Sequence, residues 1–344
     1  MRILSVGALS GLSNTCLHRH WALNKIGDKV DSVNTAKYPV SLWFRLAHHL
    51  FLNGLPARLP DNSGANEEIK AYIDRNRYEI VWIDKGNTIN ANTLLDIKKH
   101  HPQAIIVSFT ADNMAQRHNQ SRNFIECIPL YDFHITTKSY IINDLKGLGA
   151  KEVIFTYQGY EPTFHYPRKL NTSDYSRLGG DVGFVGMWEQ ERCDSILSLA
   201  KNGINVRVFG GGRWKKYRGL YPNLIIEDDG LFSDDYPKSL QAFKISLCFL
   251  RKINSDLHTS RTMEIPACGG FMLAERTKEH ETLFTEAKEA AFFSSNLDLL
   301  EKCRYYLSHE EERINIAQAG IKRCEKSGYS NVATLKRIIR QIIK

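Results

Sequence analysis

Short apolar runs alternate along this chain with polar stretches of helical period. At the N-terminus "RILSV" is a β-type run that ends at Gly7, and "GALSGLSNT" is a loop of small residues. "CLHRHWALNKIG" then carries apolar residues at helical spacing and stops at Gly27. The rhythm recurs: residues 79–84 (EIVWID) have the pattern of a buried strand, "NTLLDIKKHH" that of a helix, and residues 104–110 (AIIVSFT) that of a strand. Residues 133–138 (FHITTK) and 152–157 (EVIFTY) continue it. Strands alternating with helices predict parallel βαβ units.

Residues 159–181 break this rhythm with two prolines, three glycines and many polar side chains, which predicts a linker over 161–181. The pattern restarts with strands at 182–186 (VGFVG) and 205–210 (NVRVFG) around the helix "ERCDSILSLAKNG". "SLQAFKISLCFL" gives a helix and a strand, residues 258–268 a helix, "GFMLAE" and "AAFFSS" two strands, and residues 297–327 two helices. The expectation is an α/β protein of two Rossmann-like halves, 1–160 and 182–330, closed by a helix over 331–344. That helix sets Leu335, Ile338, Ile339, Ile342 and Ile343 opposite Lys336, Arg337 and Arg340. It has two readings: packing back onto the N-terminal half, or lying on an anionic membrane.

Composition narrows the class. The chain has 344 residues, room for about two domains. Its formal charge of +8 suits a polyanionic partner: a phosphorylated small molecule, a nucleic acid or an acidic membrane face. No nucleic-acid recognition motif accompanies the charge, so none is expected as partner. Seven scattered cysteines without a C-x-x-C pair argue against a disulfide framework or zinc cluster and for a reducing, cytoplasmic setting. No stretch reaches the ~18 apolar residues of a membrane span, which leaves peripheral contact at the inner membrane face as a second option.

Candidate chemistry concentrates in "HTSRTMEIPACGGFMLAERT", residues 258–277. Thr259 or Ser260 can cap a helix whose unpaired N–H groups favour phosphate, and Arg261 adds a planar fork. Glu264 would repel phosphate but accept hydrogen bonds from sugar hydroxyls such as those of a ribose. Pro266 must shorten the helix, and Gly269-Gly270 allow close approach to a ligand or a sharp turn. The alternative is an ordinary amphipathic helix with a solvent-facing glutamate and a glycine stop.

"RTMEIPACGGFMLAERTKEHETLF", "EAAFFSS" and "LLEKCRYYLSHEEERINIAQAGIKRC" resemble the CgeB-like group of glycosyltransferases, named for a spore-maturation protein, in the GT-B superfamily. "VWIDKG", "TADN", "YDFHITTK", "GAKEVIFTYQGYEP" and "GFVGMWEQER" are similar to that group in the same order. The resemblance implies the GT-B fold: two facing Rossmann-like domains with an interdomain cleft, the C-terminal one holding a nucleotide-sugar donor and the N-terminal one the acceptor. It also implies an acid-x7-acid motif whose second acid, matched by Glu264, holds the ribose. Its first position is Asp256, where many relatives carry glutamate, so the reach of this shorter side chain to the donor sugar is in question.

Other donor candidates follow from strand ends, where ligands lie in open α/β sheets. They are Gly186 and Arg192 after the 182–186 strand, and Gly211, Arg213 and Trp214 in "VFGGGRW", with Trp214 placed either to stack on a base or to pack internally. His258 neighbours the donor motif. On the acceptor side stand Gly11, Lys85 and Asp112: Lys85 for an anionic acceptor with Asp84 as its ion-pair partner, Asp112 as a general base or as a helix cap. The first turn has only Gly7 and Gly11, without the full G-x-G-x-x-G, and no Walker motif occurs. No His/carboxylate cluster has metal-ligand spacing, so no metal or cofactor is expected and the nucleotide-diphosphate sugar is a co-substrate. The expected activity is metal-independent transfer of a hexose-type sugar to a hydroxyl acceptor (a glycan, lipid-linked sugar, protein or small molecule), leaning toward retention. The rivals are a nucleotide-sugar epimerase and a non-catalytic nucleotide-sugar-binding protein.

Overall fold

The computed structural model describes residues 1–36 and 41–343. The chain forms two compact units, Met1–Tyr157 with Asn331–Lys344, and Gln158–Ser330. The first carries β1 (Arg2–Gly7), β2 (Lys29–Asn34), β3 (Ile80–Asp84), β4 (Ile105–Thr110), β5 (Phe133–Thr136) and β6 (Glu152–Phe155), all parallel, in the order β2-β1-β3-β4-β5-β6. The second carries β7 (Gly180–Val185), β8 (Val206–Phe209), β9 (Leu224–Ile226), β10 (Phe243–Cys248), β11 (Met272–Glu275) and β12 (Ala291–Phe293), also parallel, in the order β12-β11-β10-β7-β8-β9.

Alternation along each strand divides the first core in two. Leu4, Val6, Val81, Ile83 and Ile106 pack with Ala65, Ile69, Leu94 and Ile97 from the helices Ala65–Arg75 and Ala91–His100. Ile3, Ile80, Trp82, Val107 and Phe109 pack with Ala22 and Leu23 of the helix Thr15–Asn24 and with Leu335, Ile338, Ile339 and Ile342. The helix Asn331–Ile342 therefore spends its apolar stripe inside the first unit; each such side chain contributes roughly 1.5–3 kcal/mol of burial.

The boundary falls at Tyr157/Gln158, before the expected linker. Within 161–181 the chain instead builds the helix Thr172–Leu178, held by an Asn171/Asp174 capping box, and Gly180 already opens β7. Among the described residues, β2, β9 and the helices Leu42–Leu52, Ala65–Arg75, Arg122–Cys127, Ile142–Gly147 and Lys278–Leu283 were not anticipated from the pattern.

Candidate functional site

Counted from β7, the second sheet runs 3-2-1-4-5-6, so the chain reverses direction across the sheet between β7 and β10. Loops leaving neighbouring strands part at such a point and open a crevice at the carboxyl ends. There the segments after β7, β8 and β10 surround a cavity of about 820 Å³, lined by Met187–Glu191, Gly210–Arg213 and Arg251–Ile253. Its shape depends on a missing side chain. A Cβ on Gly210 would stand 2.3 Å from the Gly186 carbonyl oxygen and 2.5 Å from the Trp214 ring, so only glycine lets the loops after β7 and β8 meet.

Arg192 lies in the first turn of the helix Gln190–Lys201, whose N-cap Glu189 makes no side-chain capping bond. Its side chain is almost fully buried. Nε donates to Leu250 O at 3.3 Å and Nη1 to Met187 O at 3.1 Å, tying the ends of β10 and β7 together, while Nη2 is buried with no hydrogen-bond partner. Burial lowers the Arg192 pKa, Glu189 opposes the shift, and Arg261 and Arg251 add to it, which puts three guanidinium groups within electrostatic reach of one another. Glu189 stands 3.7 Å from Arg192 and 3.1 Å from Arg251.

Arg261 reaches this region from the helix Ser260–Ala267. Thr259 is the cap: its Oγ1 accepts from Arg261 N–H at 3.1 Å, and its own N–H donates to Thr262 Oγ1 at 3.0 Å. Arg261 Nε donates to Val185 O at 2.7 Å, at the end of β7, and Nη2 would lie 3.3 Å from a Cβ on Gly186. One turn on, Glu264 is buried rather than solvent-facing. Tyr236 OH donates to its Oε2 at 2.5 Å, and His165 Nε2 is 3.6 Å from its Oε1. Pro266 sits in the last turn, and Gly269, at φ +83°, makes the helix stop.

Several expected roles change here. Trp214 cannot stack on a base: it is fully buried, and its indole N–H donates to Gly186 O at 3.0 Å. The aromatic ring at the cavity is Trp188, with the Arg213 guanidinium 5.0 Å from its centroid. Gly211, at φ +59°, lines the cavity beside Asp228 and Asp229. Gly269 and Gly270 lie before β11, at the amino edge of the sheet, where a Cβ on Gly270 would stand 2.2 Å from Leu240 O; they serve the turn and its packing, not a ligand at the carboxyl ends. His258 is buried with both ring nitrogens engaged, Nδ1 with Glu279 at 2.5 Å and Nε2 accepting from Gln158 N–H at 3.0 Å, so it anchors the start of the second unit instead of offering a nitrogen to a sugar. Asp256 is buried in the turn before that helix, its N–H donating to Arg251 O at 3.1 Å.

In the first unit, Asp84 at the end of β3 pairs with Arg19, not with Lys85. The guanidinium meets it at 2.6–3.1 Å, Trp82 Nε1 adds a bond at 3.3 Å, and both charged side chains are buried. Lys85, at φ +65°, turns its Nζ to Asp112 Oδ2 at 2.7 Å. Asp112 is not a helix cap, because the following residues form a turn and the short 3-10 segment Arg117–Asn119, whose N-cap is Gln116. Gly11 lies in an exposed turn, its carbonyl accepting from Asn14 N–H at 3.0 Å. Among the described residues no group of three or more His, Cys, Asp or Glu is placed to hold a metal ion, and no helix is long and apolar enough to cross a membrane.

Comparison with known proteins agrees with this architecture. Residues 192–340 match the model of a family described as "Glycosyl transferase-like". No curated protein sequence matches the chain significantly. Among solved structures, Anabaena HepE in complex with UDP-glucose is similar at 12% identity, with 99% of each chain covered and a TM-score of 0.66. The sucrose-phosphate synthase of Thermosynechococcus elongatus is similar at 12% identity, covering 99% of this chain and 98% of that one, with a TM-score of 0.68. A glycosyltransferase of Rickettsia africae gives 11%, 100% and 98%, and 0.65. At these identities the likeness is one of fold: two parallel six-stranded sheets in an α/β chain, as in GT-B glycosyltransferases.

Proposed function

We propose that this chain is a GT-B glycosyltransferase that takes a hexose-type sugar from a nucleotide-diphosphate donor and passes it to a hydroxyl acceptor. The observation that carries the proposal is the cationic crevice at the β7/β10 switch point. There Arg192 keeps a buried donor without a partner, and Arg261 and the uncapped start of the helix Gln190–Lys201 lie beside it. Such a site binds a diphosphate and stabilises the charge that develops on it as the glycosidic bond breaks. The basic groups perform that task without a metal. The match of residues 192–340 to a glycosyltransferase-like family and a fold shared with a UDP-glucose complex support the same reading.

In this proposal Trp188 and Arg213 border the nucleoside, and Glu264, its carboxylate fixed by Tyr236, accepts the ribose hydroxyls. The spacing from Asp256 to Glu264 leans toward retention at the anomeric carbon; if the enzyme inverts, Asp112 beside Lys85 is the base. The test is a thermal-shift and calorimetry screen against UDP-, GDP-, ADP- and dTDP-sugars, followed by product analysis with and without acceptors. A stabilising donor consumed only with an acceptor present is the expected result. Rearrangement of free donor would make the protein an epimerase, and binding without turnover a nucleotide-sugar-binding protein. Glu264→Ala is expected to abolish donor binding, and near-wild-type affinity would remove Glu264 from the site.

A further inference from the structure

The helix Leu42–Leu52 in the first unit is apolar on both faces. Its inner face is Phe44, Ala47, His48 and Phe51, with the His48 ring stacked on Phe44 at 5.4 Å and Phe51 buried. Its outer face is a second stripe at helical spacing, Leu42, Leu46 and Leu50 with Trp43 beside them, between 38% and 82% exposed. Leu52 and Leu55 extend it, both more than half exposed. Scattered single leucines on a surface need no explanation, but a contiguous stripe of this kind marks an interaction face.

The charges around the stripe decide what covers it. No acidic residue occurs between Asp31 and Asp61. On the helix itself Arg45 and His49 flank the stripe, both exposed. Nearby, Arg117 is exposed opposite Gly54, and Arg58 and Arg122 share the single carboxylate of Glu126. A two-fold contact with a second copy would set this cationic rim against itself, since an isologous interface brings the same patch of both copies together. An anionic bilayer offers the opposite: acyl chains for the leucines and tryptophan, and phosphate headgroups for the arginines. We infer that the helix Leu42–Leu52 is a docking element that seats the first unit on an anionic lipid surface. The closing helix Asn331–Ile342 has no comparable face to offer, its apolar stripe being buried.

The inference concerns the first unit alone, so it stands or falls separately from the donor site. Its test is cosedimentation of the full chain with unilamellar vesicles of phosphatidylcholine, or of phosphatidylcholine and phosphatidylglycerol in equal parts, at low and moderate salt. Binding is expected on the anionic vesicles, weakening with salt. Leu46→Glu and, independently, Leu42→Glu should each lower the partition coefficient by about tenfold or more. Arg45→Glu should lower it by about fivefold or more. Both leucines are exposed, and unchanged circular dichroism and melting temperature confirm that the variants fold. Absence of binding to anionic vesicles, or binding unaffected by either leucine variant, would overturn the inference. So would a dimer seen by light scattering that Leu46→Glu dissolves while no vesicle is bound.

Discussion

Replacing Arg192 by methionine separates what this guanidinium does for the fold from what it does for a ligand. In the free protein it makes two bonds, at 3.1 Å and 3.3 Å, to the carbonyls of Met187 and Leu250, and leaves Nη2 buried without a partner. Hydrogen bonds to a charged group contribute about 1.5–3 kcal/mol each, and an unmet buried donor costs about 1–3 kcal/mol, more when charged. Desolvation of the cation opposes the folded state further, as the lowered pKa indicates. Methionine keeps most of the volume and removes all of these contributions together, so stability should stay within about 2 kcal/mol of wild type. The ligand has no such compensation. Loss of one or two charge-assisted bonds to phosphate, at about 1.5–3 kcal/mol, weakens binding roughly ten- to hundredfold. Calorimetry with the nucleotide diphosphate that most stabilises the wild type measures this directly, and urea unfolding of the free protein measures the other half. Arg192→Lys, which keeps charge but not the fork, should fall between. Wild-type affinity in a folded Arg192→Met variant would refute the assignment. A collapse of stability by 5 kcal/mol or more would show instead that Arg192 serves only the fold.

Trp214→Ala should cost about 3–5 kcal/mol in urea unfolding, because the ring is wholly buried beside Phe184. Asp84→Asn strands the buried Arg19 cation and should cost about 3–5 kcal/mol without changing nucleotide affinity, checked by unfolding and calorimetry together. Truncation after Ser330 uncovers the partners of Leu335, Ile338, Ile339 and Ile342, and should lower first-unit stability by on the order of 5 kcal/mol or more, read by hydrogen exchange. Burial lowers His134 and His280 to about 4 and His165 to about 3, against an ordinary value near 6.5. Such groups bind more protons unfolded than folded, so the stability they preserve is full above the ordinary value and is lost as pH falls toward the folded one. At pH 5 each costs roughly 2 kcal/mol, and a melting temperature flat between pH 7 and 5 would contradict this.

Most strands were legible because parallel sheets bury both faces, leaving near-continuous apolar runs such as "EIVWID" and "AIIVSFT". The two that were not have physical reasons. β2 is an edge strand, KVDSVN, largely part-exposed, and β9 is a three-residue edge strand whose central Ile225 is exposed, so it lacks the flanking apolar run that marks the equally short β12. The helix Leu42–Leu52 escaped because apolar residues on both faces blur the helical period. In the site, Arg192 and Arg261 were legible from their positions at the starts of helices that follow strands. The direction of a side chain was not. Trp214 turns inward because Gly210 leaves room beneath the β7 loop, and Trp188, two residues past Gly186, is the ring that reaches the cavity. Nothing local to Glu264 announced Tyr236 or His165, its partners through the fold.

The two sheets place the same question, a buried arginine near the end of a strand beside the switch point, and answer it differently. In the first unit the order β2-β1-β3 puts the reversal between β1 and β3, and Arg19 is there neutralised by Asp84. A Cβ on Gly7 would stand 2.9 Å from the Asp84 Cβ, so the space between these strands is already filled. An incoming anion would have to displace a buried carboxylate held at 2.6 Å, leaving that carboxylate uncompensated. In the second unit Arg192, Arg251, Arg261 and Lys252 stand against two carboxylates: Lys252 takes Glu275, and Glu189 is taken by Arg251 at 3.1 Å and met by Arg192 only at 3.7 Å. The excess positive charge therefore stays at β7/β10, with Arg251 and Lys252 on the wall of the cavity there. Under the proposed function, charge balance at the two reversals, more than the shared fold, is what would direct a nucleotide diphosphate to the second unit.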